Sequence, residues 1–590
     1  MVYTTHYLPE LDTLDATLAV ADHGRVVARG SRAELLATVP GGRWRCSASS
    51  RLSASVSPSS SAPASGAASR IPDISPSSSW LRTVADLQFG SVTTMTEHVD
   101  VLIVGAGLSG IGAAHHLQAA FPRRTYAILE ARDALGGTWD LFRYPGVRSD
   151  SDMHTLGYRF RPWTQDKAIT DGPSILRYVR DAATEAGIDR HIRYRHRVER
   201  AAWSTEDARW TVDATNDGEP VRLTASFLFV CSGYYHYDVG HTPSFPGLER
   251  FGGTVIHPQQ WPEDLDYGGK KIVVIGSGAT AVTLVPALTD RAAHVTMLQR
   301  SPTYIAARPA RDQLGAKLTK RLGTRGGYAV TRWKNVALGT WFYQLSQRRP
   351  EAVKALLRKA AIAQLPPGYD VDTHFTPRYN PWDQRMCLAP DGDFFAAIRS
   401  GRADVVTDQI AEFTETGIRL ASGAELEADI VVTATGLRLL ALGGMQLAVD
   451  GSDVTLAKTM VYKGTMLSGV PNLTFTFGYT NSSWTLKADL VSEYAVRLLR
   501  YMDAHGYDQC VPVNDDPAVS ERPMLDFQSG YVQRAIHEFP KSGSRGPWRV
   551  RMNYPLDLLT LRYRRINDGG LRFTRRAAAR RAAARVPAAS

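Results

Sequence analysis

Two short glycine loops carry the clearest chemistry in this chain. Gly105, Gly107 and Gly110 follow the apolar run HVDVLIV and open the stretch LSGIGAAHHLQAA. At that spacing the backbone can approach a pyrophosphate placed at a helix amino terminus. Glu130 closes the next apolar run, TYAILEAR, where a carboxylate can accept both ribose hydroxyls. A second loop holds Gly276, Gly278 and Ala281 in GSGATA, with alanine for the third glycine. Gln299, Arg300 and Ser301 end its partner strand, where an enzyme specific for NAD has an acid. An acid would repel a 2′-phosphate, whereas Arg300 can pair with it and Ser301 can donate a hydrogen bond. Two such loops imply two dinucleotides, FAD in the first and NADPH in the second.

The elements that must position these loops read as α/β. Each loop lies between a buried strand and an apolar-faced helix, and WSTEDARWTVDA and ASFLFVCSGYY add strands between the two units. The expected fold is two nested Rossmann-like dinucleotide-binding domains with a helical insertion. The FAD domain spans 95–240 and the NADPH domain 241–415, with the insertion at about 310–375. The FAD domain returns over 416–560, and a basic tail covers 561–590. Ala434-Thr435-Gly436 after ADIVVT resembles the hinge of that return.

Composition fits a globular protein with a sizeable core, at 44% hydrophobic and 22% charged residues. Cys46, Cys231, Cys387 and Cys510 are scattered without metal-like spacing, which fits a reducing cytoplasm and removes flavin disulfide reductases from consideration. Cys231 and Cys387 read as small buried apolar residues. From Lys541 onward there are thirteen Lys/Arg against two acids, which accounts for the whole net charge of +11. Nucleic acid is therefore not an expected partner. The tail can touch an anionic membrane surface, but RRAAARRAAAR has no apolar anchor. No segment reads as a membrane span or a signal peptide. Residues 1–94 are expected to be disordered or a mis-assigned extension, because Ser47–Ser79 is dominated by Ser, Ala and Pro, and Met95 is the expected start.

Two longer strings identify a family. FGGTVIHPQQWP places Phe251, Gly253, His257 and Trp261 in the pattern FxGxxxHxxxW, and GGTWDLFRYPGVRSD supplies Gly137, Trp139, Tyr144, Pro145, Gly146 and Asp150. Both resemble fingerprints of type I Baeyer–Villiger monooxygenases, within the flavin-containing monooxygenase superfamily. FRYPGVRSDSDMHTLGYRFRPW, HPQQWPEDLDY, NPWDQRMCL and GYTNSSWTLKADLVSE resemble its ethionamide monooxygenase branch. The resemblance implies that NADPH reduces FAD, that O2 adds at flavin C4a, and that the peroxyflavin oxidises a ketone to an ester or lactone or oxygenates a sulfide or thioamide. It implies FAD contacts from Ser109, Thr138, Trp139, Asp140, Leu141, Asp150, Val198 and Gly436 besides the first loop, Gly137 and Glu130. It implies NADP contacts from Arg148, Ser149, Asp150, Ser277, Ala279, Thr280, Val282 and Thr283.

The family's catalytic arginine falls on Arg385 and its carboxylate partner on Asp150. A desolvated peroxide anion needs a cation that stays charged, which suits arginine. His257 reads as a coupler of domain movement or as a proton-transfer group. Trp261, Trp382 and Trp484 read as pocket lining or as core, and adjacent His115 and His116 face different ways on a helix. Three rivals remain open: an N/S-monooxygenase with little ketone activity, an NADPH oxidase releasing peroxide, and a flavin-binding regulator without turnover.

Overall fold

A computed structural model describes residues 96–576 apart from Arg385 and Asp526, together with the backbone of three short upstream strands. Those strands, Leu18–Asp22, Arg25–Gly30 and Ser53–Ala54, pair antiparallel with one another. They belong to a separate unit, Met1–Val92. Met95 lies outside the described residues.

In the main unit the first glycine loop sits at the end of Glu97–Val104, whose last four residues are all buried. That strand runs parallel to Tyr126–Leu129 on one side and Glu219–Val230 on the other. A continuous apolar run is what a strand covered on both faces requires. Helices Leu108–Ala120 and Trp484–His505 supply part of the cover, sharing a core with Ile103, Leu490 and Tyr494. WSTEDARWTVDA holds the end of strand His196–Ser204, a turn at 205–208 and most of strand Arg209–Asn216, because its polar TED centre favours a hairpin.

The second loop follows Lys271–Ile275 in a five-stranded parallel sheet. Ile430–Thr433 lies between Thr254–Ile256 and Lys271–Ile275 in that same sheet. The boundary expected at 416 is therefore too early, and the chain returns to the first sheet only when Gln446–Val449 pairs with Arg200–Trp203. IVVT fills a central buried slot of the second sheet, and its apolar run cannot tell one sheet from another. Along the chain, between strands of that second sheet, lie helices 313–322 and 324–348, which meet at Gly323, then Pro350–Ile362 and Val371–Phe375.

The tail begins later than 561. Leu571–Thr574 pairs antiparallel with Gln509–Pro512, and Leu561, Ile566 and Leu571 are buried. Among the described residues no helix is long and apolar enough to cross a membrane.

Candidate active site

Backbone geometry at the first loop leaves no room for a Cβ at Gly105 or Gly110. Gly105 has φ +100°, and a Cβ there would lie 2.7 Å from the Cys231 carbonyl oxygen. A Cβ on Gly110 would lie 1.9 Å from the Gly105 oxygen. Gly107 bridges Gly136, and Gly137 at φ +57° lies close against Gly107. Glu130 is 5% exposed and holds the loop from below: one carboxylate oxygen accepts the Ala106 N–H at 2.7 Å and the other the Arg132 N–H at 3.0 Å. Burial raises its carboxyl above the ordinary value.

A cavity of about 120 Å3 beside these residues is lined by Gly105, Gly107, Glu130 and Val198. It shares Gly107, Gly137 and Tyr237 with a cleft of about 260 Å3 lined by Ser109, Thr138, Trp139, Asp150 and Trp484. Glycine backbone at one end, a ribose-ready carboxylate beside it and an aromatic-walled cleft at the other end fit an extended flavin dinucleotide. Trp484 donates from Nε1 to Ser109 Oγ at 2.8 Å and stacks on Tyr234 at 5.2 Å. Thr138 and Tyr237 share a hydroxyl hydrogen bond of 3.2 Å.

Two expected flavin contacts fall elsewhere. Asp140 is buried, and its carboxylate takes hydrogen bonds from Arg132 at 2.6 Å and Arg180 at 3.0 Å. Leu141 is half-buried and lines neither cavity. Gly436, at φ +109°, belongs to the hinge.

At the second loop Gly276 has φ +130°, and a Cβ on it would meet the Ala434 oxygen at 2.4 Å, whereas the space around Gly278 is open. Ala279, Thr280 and Thr283 reach the 260 Å3 cleft. Ala281 and Val282 instead pack into the core. Ser277 donates to the Ser301 carbonyl at 3.0 Å, and Arg300 and Ser301 are exposed beside that loop. Arg148 pairs with Asp393, and Ser149 is buried, its hydroxyl accepting the Ser151 N–H at 2.9 Å. Both are therefore already partnered, although both line the cleft.

A further cavity of about 430 Å3 shares Asp150, Ser151, Leu388 and Ser482 with the cleft. Its outer wall comes from the insertion through Val336, Leu338, Trp341 and Leu357, and Trp382 and Met386 close another side. Arg385 lies outside the described residues, between Gln384 and the cavity-lining Met386. Asn335 donates to Asp152 at 2.9 Å at the inner end. The buried Arg332 guanidinium, one turn earlier, donates to the carbonyls of His154 and Gly157, each at 2.8 Å, and approaches Asp489 at 3.4 Å. Sequence reading missed Arg332, Asn335 and the Tyr234, Tyr235 and Tyr237 wall. The YYHY run after a buried strand was the one available signal for the tyrosines.

Phe251, Gly253, His257 and Trp261 line none of these three cavities, and His257 instead meets the hinge. His257 Nδ1 accepts the Gln259 N–H at 3.2 Å, which leaves the proton on Nε2 to donate to the Gly436 carbonyl at 3.1 Å. Burial holds its imidazole pKa below the usual value. The ring lies where a Cβ on Gly240 would be, and a Cβ on Gly253 would strike the Asp429 oxygen at 2.4 Å. Phe251 meets Phe413 edge-on at 5.9 Å, and half-buried Trp261 packs on the second domain's core. His115 stacks on Phe160 while His116 turns to Asp489. Cys231 and Cys387 are buried.

The flavin-binding monooxygenase-like family matches residues 167–348, and a NAD(P)-binding Rossmann-like domain matches residues 103–166. The FAD-containing monooxygenase EthA of Mycolicibacterium smegmatis is 58% identical over 486 residues, 82% of this chain and 99% of that protein. The probable FAD-binding monooxygenase AlmA of Acinetobacter baylyi is 48% identical over 82% of this chain and 97% of its own length. In fold, the chain resembles an oxidised steroid monooxygenase bound to NADP. That likeness has a TM-score of 0.60 and 24% identity, and it covers 71% of this chain and 88% of the other.

Proposed function

The chain belongs to the FAD-containing monooxygenases of the flavin-binding monooxygenase-like family, and we propose that it uses FAD and NADPH to insert one atom of O2 into an apolar ketone, giving an ester or lactone, with sulfides and thioamides as alternative acceptors at the same site. One observation carries this reading: the aromatic-walled cleft and the apolar 430 Å3 cavity meet at Asp150, Ser151, Leu388 and Ser482. A reacting group held in the apolar cavity would face the redox end of the cleft there. Bound flavin, reduced by NADPH and met by oxygen, supplies the oxygen-transfer chemistry.

The chain's own residues bind, orient and exclude water. The Gly105–Gly110 loop takes the flavin pyrophosphate and Glu130 its ribose. Arg300 and Ser301 take the NADPH 2′-phosphate, and Gly276 and Gly278 its pyrophosphate. Trp484 and Tyr234 wall the redox end against solvent, which strengthens every electrostatic contact inside. Asp150 stands at the junction to orient Arg385, whose fixed charge would offset the anion formed during oxygen transfer. His257 couples the domains by holding the Gly436 carbonyl, and its buried neutral ring suits that task better than proton transfer. A cytoplasmic location fits Cys231, Cys387 and Cys510, which are buried and in no disulfide among the described residues.

The test is a panel of linear, cyclic and aryl ketones with a thioamide and a sulfide, given to FAD-loaded protein while product and peroxide are measured together. Ketone-derived ester is the expected main product. Peroxide alone across the panel would overturn the reading, and sulfoxide without ester would leave only its sulfur half. In Arg385→Ala, NADPH oxidation should continue with peroxide replacing product.

A further inference from the structure

The insertion presents an unusual outer face. Two helices that meet at Gly323, 313–322 and 324–348, together contain seven Lys/Arg and no acid. Two of these are engaged: Arg332 is buried against Asp489, and Lys334 pairs with Asp312 at 2.5 Å. Lys317, Lys320, Arg321, Arg325 and Arg348 are exposed, and none forms an ion pair among the described residues.

Beyond Gly323 the second of these helices turns large apolar side chains outward. Val330, Trp333, Leu338 and Trp341 recur at helical spacing on the solvent side, with Trp333 50% and Trp341 62% exposed. With its polar Arg332 packed inward, this helix leaves an apolar stripe facing outward. The stripe continues through Trp333, whose ring lies 6.0 Å from that of Tyr554, to exposed Leu556 and Leu559. Leu338, Trp341 and Leu356 both line the 430 Å3 cavity and reach solvent, so the cavity mouth opens on this face.

We propose that this outer face of the insertion docks on an anionic lipid surface, with its cations over the headgroups and Trp333 and Trp341 inserted at the interface, so that the cavity mouth opens toward the lipid. Charge selects the occupant. A second copy meeting this face across a two-fold axis would set unpaired cations against the same cations, whereas a negative lipid surface complements them. Tryptophan with an apolar body and a polar N–H suits the headgroup boundary. Apolar substrates dissolved in lipid would then reach the cavity without crossing water. The docking is independent of which acceptor atom is oxygenated.

The test is flotation of the full chain with phosphatidylcholine vesicles, with and without phosphatidylglycerol. Binding is expected only with the anionic lipid. Each cation near such a surface contributes about fivefold, so Arg321→Glu with Arg325→Glu should weaken binding by about 25-fold or more. Val330→Ser with Trp333→Ser should weaken it as well, while turnover of a short water-soluble ketone stays at the parent level in both variants. Three results would overturn the proposal: no binding to either vesicle, binding that ignores all four substitutions and so belongs to the basic carboxyl-terminal run, or a concentration-dependent dimer lost in Trp333→Ser without any lipid binding.

Discussion

Replacing Arg332 with methionine tests whether the insertion's docking sets substrate binding. Arg332 is 5% exposed and satisfies the carbonyls of His154 and Gly157, each at 2.8 Å, while its other nitrogen faces Asp489 at 3.4 Å. Asp489 is itself buried, and its remaining close partners are His116 at 3.3 Å and the Arg159 N–H at 3.4 Å. Methionine fills much of the volume but strands the carboxylate and the carbonyls. Removing one partner of a buried pair costs about 3–5 kcal/mol. Taken at ~3 kcal/mol, the equilibrium between docked and undocked insertion shifts by roughly 150-fold. Val336 and Leu338 of the same helix line the substrate cavity, so the cost falls on the wall that holds the ketone. The KM for a ketone should rise by about tenfold or more, with more peroxide per NADPH. Anaerobic flavin reduction by NADPH should stay within about twofold, because the glycine loops are untouched. Limited proteolysis should cut first within the insertion. Adding Asp489→Leu should recover part of the loss, since the stranded charge is then gone. If Arg332→Met kept the parent KM, coupling and protease resistance, the reasoning would be wrong.

Gly110→Ala places a Cβ 1.9 Å from the Gly105 oxygen, so the purified protein should lack flavin absorbance near neutral pH even with FAD added; a normal flavin spectrum would refute the cradle. Arg300→Ala should raise the KM for NADPH by about 10–100-fold, the worth of a charge-assisted phosphate contact, and leave that for NADH nearly unchanged. Equal effects on both nucleotides would remove Arg300 from the 2′-phosphate site. Burial, and then the neighbouring His116, hold His115 down to about 4, from 6.5 for the free imidazole. The unfolded chain therefore binds a proton first, and stability present above about 6.5 declines as pH falls toward 4. His115→Phe should flatten the thermal-melting profile across that window, and parallel profiles for the two proteins would count against this assignment.

Local pattern made some of the site readable, and its limits follow from the same physics. Gly105, Gly107 and Glu130 were legible because a strand, a tight turn and a helix dictate their spacing within a single unit, and the cradle they form depends on little else. Asp140 was read as a flavin contact, yet Arg132 and Arg180 surround it. Charge pairing between residues that folding brings together leaves no mark on spacing. Ile430–Thr433 shows the same gap at the level of sheets: IVVT says buried parallel strand without saying beside which partner. Arg332 and Asp489 lie 157 residues apart, and helical periodicity alone would put an arginine among so many cations on the solvent face. The structure inverts that helix, with Arg332 in and Trp333 out. Carbonyls at the break after the short turn Met153–Leu156 need a donor, and the fork of an arginine reaches them where a tryptophan cannot. Polar demand of the flavin domain's own backbone thus fixes the insertion's rotation, and with it which side chains line the cavity and which are left facing outward.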